Sequence, residues 1–243
     1  GIKLKAKINN ELNEYYGKID KLQSKDSIRS AYLERLGENR AKLKKNISHS
    51  RFNELINYFA TGNEINPEKI DPHLILVDDK NKLGDLFNLA CSFWSVPPTA
   101  GYGRRLRYIV LDKHNGKMIG VLGLKDAVIG LRSRDIWIGW STEERMKKIS
   151  SIMDGYVVGA VPPYNNLLGG KLIVSLIKSK EIFNLFKSKY SNKVSKFNSE
   201  KLKNLNIESL GEPNKGLSLV TITSALGKSS IYNRINLPGT LKL

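Results

Sequence analysis

Apolar side chains recur at helical spacing through the N-terminal part of the chain, with charged residues between them. The first series consists of Leu4, Ile8, Leu12, Tyr15, Ile19 and Leu22. A second series runs over Ile28–Leu43, and a third helix is predicted over Ser50–Ala60, after a serine N-cap. We therefore expect a basic helical region over residues 1–66, which either binds DNA or a partner or extends as a solvated appendage.

From residue 67 onward, short apolar runs alternate with helical patterns. The strands predicted from these runs are Leu74–Val77, Leu106–Leu111, Met118–Leu124, Asp135–Trp140, Tyr156–Val161 and Leu219–Thr223. The predicted helices are Lys82–Phe93, Glu143–Ile152 and Leu167–Tyr190, the last with a break near Ser179.

Two further features complete the expected architecture. Asn115-Gly116 stands between two apolar runs and predicts a hairpin. Residues 190–216 are polar and lysine-rich, which is typical of a loop or insertion. We expect residues 67–243 to form a domain of the α/β (α+β) class, with a central mixed sheet flanked by helices and preceded by the helical extension.

The composition narrows the class of partner. The chain carries 40 lysine and arginine residues against 23 acidic ones, a formal net charge of +17. A basic surface of this size favours polyanions, nucleic acid before membrane. No apolar run is long enough to cross a bilayer, and the N-terminus lacks the apolar segment of a signal peptide. The single cysteine, Cys91, allows no internal disulfide, so the chain reads as cytoplasmic with a buried structural thiol.

Arginine is scarcer than lysine in this chain, so its clustering is the more informative signal. Three basic clusters lie next to predicted strand ends. The residues predicted to bind nucleic acid, DNA in the first place, are Arg104, Arg105, Arg107, Arg132, Arg134, Lys228 and Arg234. Arg105 and Arg107 alternate with Leu106, so they should share one strand face and offer a site for phosphate. The alternative for the second cluster is an arginine–aspartate ion pair that fixes a loop.

The segment MDGYVVGAVPPYNNLLGGK, residues 153–171, combines an apolar strand, a tight loop and a helix that begins with glycines. Free N–H groups at a helix start attract anions, and glycine lets a ligand approach the backbone. The residues predicted to hold a cofactor are Asn165, Gly169, Gly170 and Lys171. Alternatively, the glycines only let the helix pack against the sheet.

Catalytic groups are harder to place, because the chain shows no Ser–His–Asp spacing. Asp154 is a carboxylate close to the predicted sheet, and Tyr164 and Tyr232 lie in polar loops where a phenol could donate a proton. These three residues are the catalytic candidates. Three histidines without a CxxC motif predict no metal site.

Four segments carry a resemblance to a known family: GYGRRLRYIVLDKHNGKMIG, RSRDIWIGWS, MDGYVVGAVPPYNNLLGGK and VTITSALGKSSIYNR. They resemble the DruA family of the Druantia anti-phage defence system over about residues 71–243. The resemblance implies a bacterial protein with a role in defence or another DNA-associated process, and other defence-system proteins as partners. It implies no particular reaction.

The strand, loop and glycine-bearing helix are also similar to acetyltransferases of the GNAT superfamily, where such a helix start holds the pyrophosphate of acyl-CoA. That likeness implies a GNAT-like acyltransferase scaffold. The segment 166–170 does not follow the Arg/Gln-x-x-Gly-x-Gly/Ala pattern, which puts acyl-CoA as a cofactor in doubt. Three hypotheses therefore stand: a nucleic-acid-binding defence protein, a group-transferring enzyme that uses Gly169-Gly170, and a structural subunit that docks through residues 1–66.

Overall fold

A computed structural model describes residues 2–20, 24–78, 82–94, 98, 103–191 and 216–223. The described residues are built around a five-stranded sheet. Its strands are β1 (Pro72–Leu76), β2 (Arg105–Asp112), β3 (Met118–Asp126), β4 (Ile152–Ala160) and β5 (Leu219–Ile222). They lie in chain order, the first four antiparallel and β5 parallel to β4. The predicted α/β class with a central mixed sheet is confirmed.

The described residues form eight α-helices. They are α1 (Ile2–Asp20), α2 (Lys25–Asn46), α3 (His49–Ile56), α4 (Gly84–Cys91), α5 (Arg132–Ile138), α6 (Thr142–Lys148), α7 (Gly169–Leu176) and α8 (Lys180–Tyr190). The predicted N-terminal helices are present, and Ser48 caps α3. The break near Ser179 is also confirmed, because its side chain accepts a hydrogen bond from the Ile182 N–H and caps α8. No helix of these residues is long and apolar enough to cross a bilayer.

Side-chain alternation along the strands gives the sheet two faces, each covered by helices. On the first, here the α4 face, Ile109, Val121 and Val157 pack with Phe87 of α4 and Leu55 of α3. On the second, here the α7 face, the buried residues include Leu106, Tyr108 and Leu122 from the strands, Ile173 from α7 and Phe186 from α8. The chain therefore folds as a helix–sheet–helix sandwich.

The predicted hairpin is confirmed as β2 and β3. Its turn is fixed by Asp112, a fully buried carboxylate that accepts hydrogen bonds from the backbone N–H groups of Asp71 and His114, both at 3.0 Å. Gly116 takes a φ of 71°, which favours glycine. A buried charge needs such donors, so the turn is specified by polar contacts as well as by its Asn-Gly pair.

The prediction of a strand over Asp135–Trp140 is wrong. These residues lie mostly in α5, which ends at Gly139 in the left-handed conformation with a φ of 82°. The alternation of isoleucine and tryptophan resembles a half-buried strand, but Ile136 and Trp137 are exposed and the charged Arg134 and Asp135 are buried. A buried ion pair therefore decides the local structure here, against the apolar pattern. The helix predicted over Glu143–Ile152 is also shorter, since α6 ends at Lys148 and β4 begins at Ile152.

Candidate nucleic-acid interface

Arg105 and Arg107 share the α4 face of the sheet, as the alternation with Leu106 predicts. The guanidinium carbon of Arg105 lies 5.2 Å from the ring centre of Tyr156, and that of Arg107 lies 5.9 Å from the ring centre of Phe87. Both side chains are half-buried. A guanidinium group held over an aromatic ring keeps its planar fork of N–H donors oriented, which suits recognition of a phosphate.

Tyr156 belongs to this site and was not among the residues predicted from the sequence. It lies at an irregularity in the pairing of β3 with β4, because Gly123 is opposite Val157 and Leu124 is opposite Gly155. The extra residue of a β-bulge re-aims its side chain. A Cβ on Gly123 would lie 2.7 Å from both the Tyr156 ring and a Val157 methyl, so glycine makes room for the phenol. A glycine inside an apolar strand is the sequence signal for such a bulge.

The protonation states around this pair are fixed by burial. Burial raises the pKa of the Tyr156 phenol, and the nearby Cys91 thiol acts in the same direction, while the positive charges of Arg105 and Arg107 oppose the shift. Burial also raises the pKa of Cys91 to about 12. Tyr156 is therefore a neutral hydrogen-bonding group and Cys91 an inert buried thiol at neutral pH, so neither adds a negative charge beside the two arginines.

Arg104 points to the other side of the sheet and is engaged within the protein. Its Nε donates to Asp126 at 2.5 Å and its Nη1 donates to the Ser150 carbonyl at 2.6 Å. Its guanidinium also lies over the rings of Phe186 and Tyr190 of α8. These contacts join the start of β2 to β3, to the turn before β4 and to α8.

The second cluster divides into an exposed and a buried arginine. Arg132 is exposed, whereas Arg134 is 5% exposed and donates to Asp135 from both Nε, at 3.0 Å, and Nη2, at 2.7 Å. Arg145 of α6 donates to the other oxygen of Asp135 at 3.1 Å. Burial opposes ionisation of Asp135, but the hydrogen bonds from Arg134 and Arg145 outweigh it and lower the pKa of this carboxyl. Arg134 therefore fits the alternative stated for this cluster, an arginine–aspartate ion pair that fixes a loop, and not the nucleic-acid-binding role.

The remaining members of the predicted sites fall outside this face or outside the described residues. Lys228, Arg234 and the catalytic candidate Tyr232 lie outside the described residues. Among the residues that the structure describes, no group of three or more histidine, cysteine or acidic side chains could hold a metal ion.

The catalytic candidates Asp154 and Tyr164 are not brought together. Asp154 accepts hydrogen bonds from the Val128 N–H at 3.0 Å and from the Thr221 hydroxyl. The Tyr164 hydroxyl donates to the buried Asp112 at 2.8 Å, and burial raises its pKa to about 12. Asp154 lies near the start of β4 and Tyr164 follows the end of that strand, about 20 Å away at the usual rise per residue.

The glycine-bearing helix start packs tightly on the strand before it. A Cβ on Gly169 would lie 2.5 Å from the Tyr164 carbonyl oxygen and 2.9 Å from the Ala160 Cβ. The Lys171 N–H donates to the Leu168 carbonyl at 2.9 Å, and Asn165 is exposed in the preceding turn. Because α7 covers the α7 face, Gly169, Gly170 and Lys171 are separated from Arg105 and Arg107 by the sheet. Gly169 therefore fits the alternative stated above, in which the glycines let the helix pack against the sheet.

Comparison with known proteins agrees with the resemblance carried by the motifs. A family model described as Druantia protein DruA matches residues 22–242. A curated relative, Druantia protein DruA of Escherichia coli (strain UMEA 4076-1), is 42% identical over 216 residues, which cover 89% of this chain and 50% of the relative. The chain thus spans about half the length of this relative. No solved structure matches the chain, so the GNAT-like scaffold stays a prediction. Since the match extends over most of its length, the chain belongs to the Druantia protein DruA family.

Proposed function

We propose that this chain acts in anti-phage defence by binding nucleic acid, DNA in the first place, through the α4 face beside Arg105 and Arg107. The observation that carries the proposal is the pair of guanidinium groups on that face, each oriented by an aromatic ring. The net charge of +17 supplies the long-range attraction for a polyanion. The family supports the defence role, in which other defence proteins are the expected partners.

The charge balance of the face also supports this proposal. Among the described residues, Arg107 forms no ion pair with a carboxylate. A half-buried cation without an acidic partner is costly to desolvate unless an anion accompanies it. A phosphate oxygen accepts charge-assisted hydrogen bonds from a guanidinium in the same way as a carboxylate, and would supply the missing negative charge.

Salt titration of DNA binding tests the proposal. Fluorescence anisotropy with a labelled duplex of about 20 base pairs and a single strand of equal length should show affinity that falls steeply between about 50 and 200 mM salt, with a log–log slope of about −0.9 per phosphate contact for the duplex and −0.7 for the single strand. The same titration with RNA reports which nucleic acid is preferred. Absence of binding to DNA and RNA at the lowest salt contradicts the proposal.

A group-transferring enzyme of GNAT type is the second candidate. One observation favours it. Within the described residues, β5 pairs with β4 only over Ile152–Gly155, and the later part of β4 leads into the glycine-bearing α7. This order of strand, loop and helix is the one on which the likeness to acetyltransferases rests. Against it, the space beside Gly169 is filled by the Tyr164 carbonyl and Ala160. Stabilisation by millimolar acyl-CoA in a thermal shift assay supports this candidate, and no shift argues against it.

A further inference from the structure

Helix α5 presents an exposed face of unusual chemistry. Trp137 is 81% exposed and Ile136 is 66% exposed. Arg132 and Ser133 are exposed as well, and each precedes one of the apolar residues by one helical turn. Residues four apart lie on the same side of a helix, so the exposed face combines a cation, a hydroxyl, an aliphatic and an aromatic side chain. A tryptophan this exposed buries little apolar area in the fold and therefore contributes little to its stability.

The protein nonetheless holds this helix firmly. Arg134 donates to the carbonyls of Val128 and Ile129 at 2.7 and 3.1 Å, and also to Asp135, which is bound in turn by Arg145 of α6. These charge-assisted hydrogen bonds connect α5 to the loop before it and to the next helix. Hydrogen bonds of its buried polar side chains thus hold α5 in place, and Trp137 of the same helix is exposed to solvent.

The exposed face is connected to the arginine pair through one row of residues across the sheet. Arg105 is opposite Lys125, and Lys125 is opposite Asp154, so the three lie on the α4 face. Asp154 accepts the hydrogen bond from the Val128 N–H, a few residues before α5. Neighbouring strands are about 4.8 Å apart, which places Arg105 about 10 Å from Asp154. A ligand that contacts Arg105 can therefore extend toward α5.

We propose that Trp137 and Ile136 stack against the unpaired bases of a single nucleic-acid strand whose phosphates contact Arg132 and Arg105. The inference rests on the proposed function and adds to it a preference for single-stranded over duplex substrate. Charge complementarity selects this occupant, because the exposed charged side chain of the α5 face is Arg132 and the chain as a whole carries +17. Aromatic stacking combined with cationic phosphate contacts is how proteins bind single strands without a sequence requirement.

The test compares two alanine variants in oligo(dT) binding. The Trp137→Ala variant should lose about 5- to 100-fold in affinity for oligo(dT) of about 20 nucleotides, with an unchanged salt slope, since stacking releases no counterions. The Leu168→Ala variant is the matched control, because Leu168 is 70% exposed just before α7, on the opposite side of the sheet. It should bind as the parent protein does. Urea unfolding of both variants should match the parent, which excludes misfolding as the cause.

The outcomes separate this inference from the proposed function. If the parent protein binds neither DNA nor RNA, both fail. If the parent binds oligo(dT) with a steep salt dependence and Trp137→Ala binds equally well, only the stacking surface is overturned. If the variant instead loses self-association in sedimentation and keeps its DNA affinity, the surface docks a second copy of the chain, and the inference is again overturned.

Discussion

Replacing Gly169 with alanine should destabilise the protein by about 3 kcal/mol, because the new methyl group has no space. It would meet the carbonyl oxygen of Tyr164 at 2.5 Å and the Ala160 Cβ at 2.9 Å. Ala160 is the last residue of β4, and Tyr164 lies in the turn between β4 and α7. Since neither can shift easily, α7 would have to move away from the sheet. That movement would expose Ile173, which is fully buried on the α7 face. Urea unfolding followed by far-ultraviolet circular dichroism measures the loss.

A glycine without close neighbours provides the control for this change. Gly37 lies inside α2, and a Cβ there would meet nothing within 4 Å. Gly37→Ala should therefore stabilise the protein by about 0.5–1 kcal/mol, since alanine is the better helix former. If Gly169→Ala unfolds at the same urea concentration as the parent, the glycine is not needed for packing, and a role in ligand binding regains support.

Asp135→Asn should destabilise the protein by about 2–3 kcal/mol at neutral pH. The substitution keeps the side-chain volume but removes the charge that three donors from Arg134 and Arg145 share. One of the two oxygens becomes an amide N–H₂ that faces a guanidinium donor, and both arginines lose their negatively charged partner. The Glu143→Gln variant is the control, because Glu143 forms an exposed ion pair with Lys147 of the kind that contributes little to stability.

The effect of Asp135→Asn should depend on pH in a defined direction. The pKa of Asp135 in the folded protein is below its ordinary value of 3.8, so the ionised carboxylate stabilises the fold above that pH. This contribution is lost as the pH falls through the folded pKa. The difference in unfolding free energy between parent and variant should therefore be full at pH 6–7 and shrink below about pH 4. A difference that stays constant down to pH 2 contradicts the assigned ion pair.

The sequence was sufficient where local rules decide the structure. Asn115-Gly116 placed the hairpin, and the alternation of Arg105 and Arg107 with Leu106 put both arginines on one face. The serine before α8 marked the break in the long helical pattern. Each of these features depends on residues close together in the chain, so a single sequence contains the information.

Other features depend on contacts between distant segments. Arg104 binds Asp126 and the Ser150 carbonyl within the protein, whereas Arg105 is proposed to bind a phosphate. The sequence alone does not distinguish these two roles, because both residues are arginines of the same cluster. The bulge that re-aims Tyr156 depends on its pairing with Gly123 in another strand. The helix at Trp137 likewise follows from a buried ion pair that overrides an alternating apolar pattern.

The most direct test of the proposed function is the salt slope of DNA binding for Arg105→Gln/Arg107→Gln. The control is Lys180→Gln/Lys187→Gln, which removes the same charge from exposed positions on α8, over the opposite face of the sheet. If each arginine contacts one phosphate, the arginine variant should lower the magnitude of the duplex slope by about 2 and weaken binding about 10- to 100-fold, whereas the lysine variant should keep a slope close to that of the parent. Equal slopes and affinities for the two variants would contradict the assignment of the α4 face as the nucleic-acid interface.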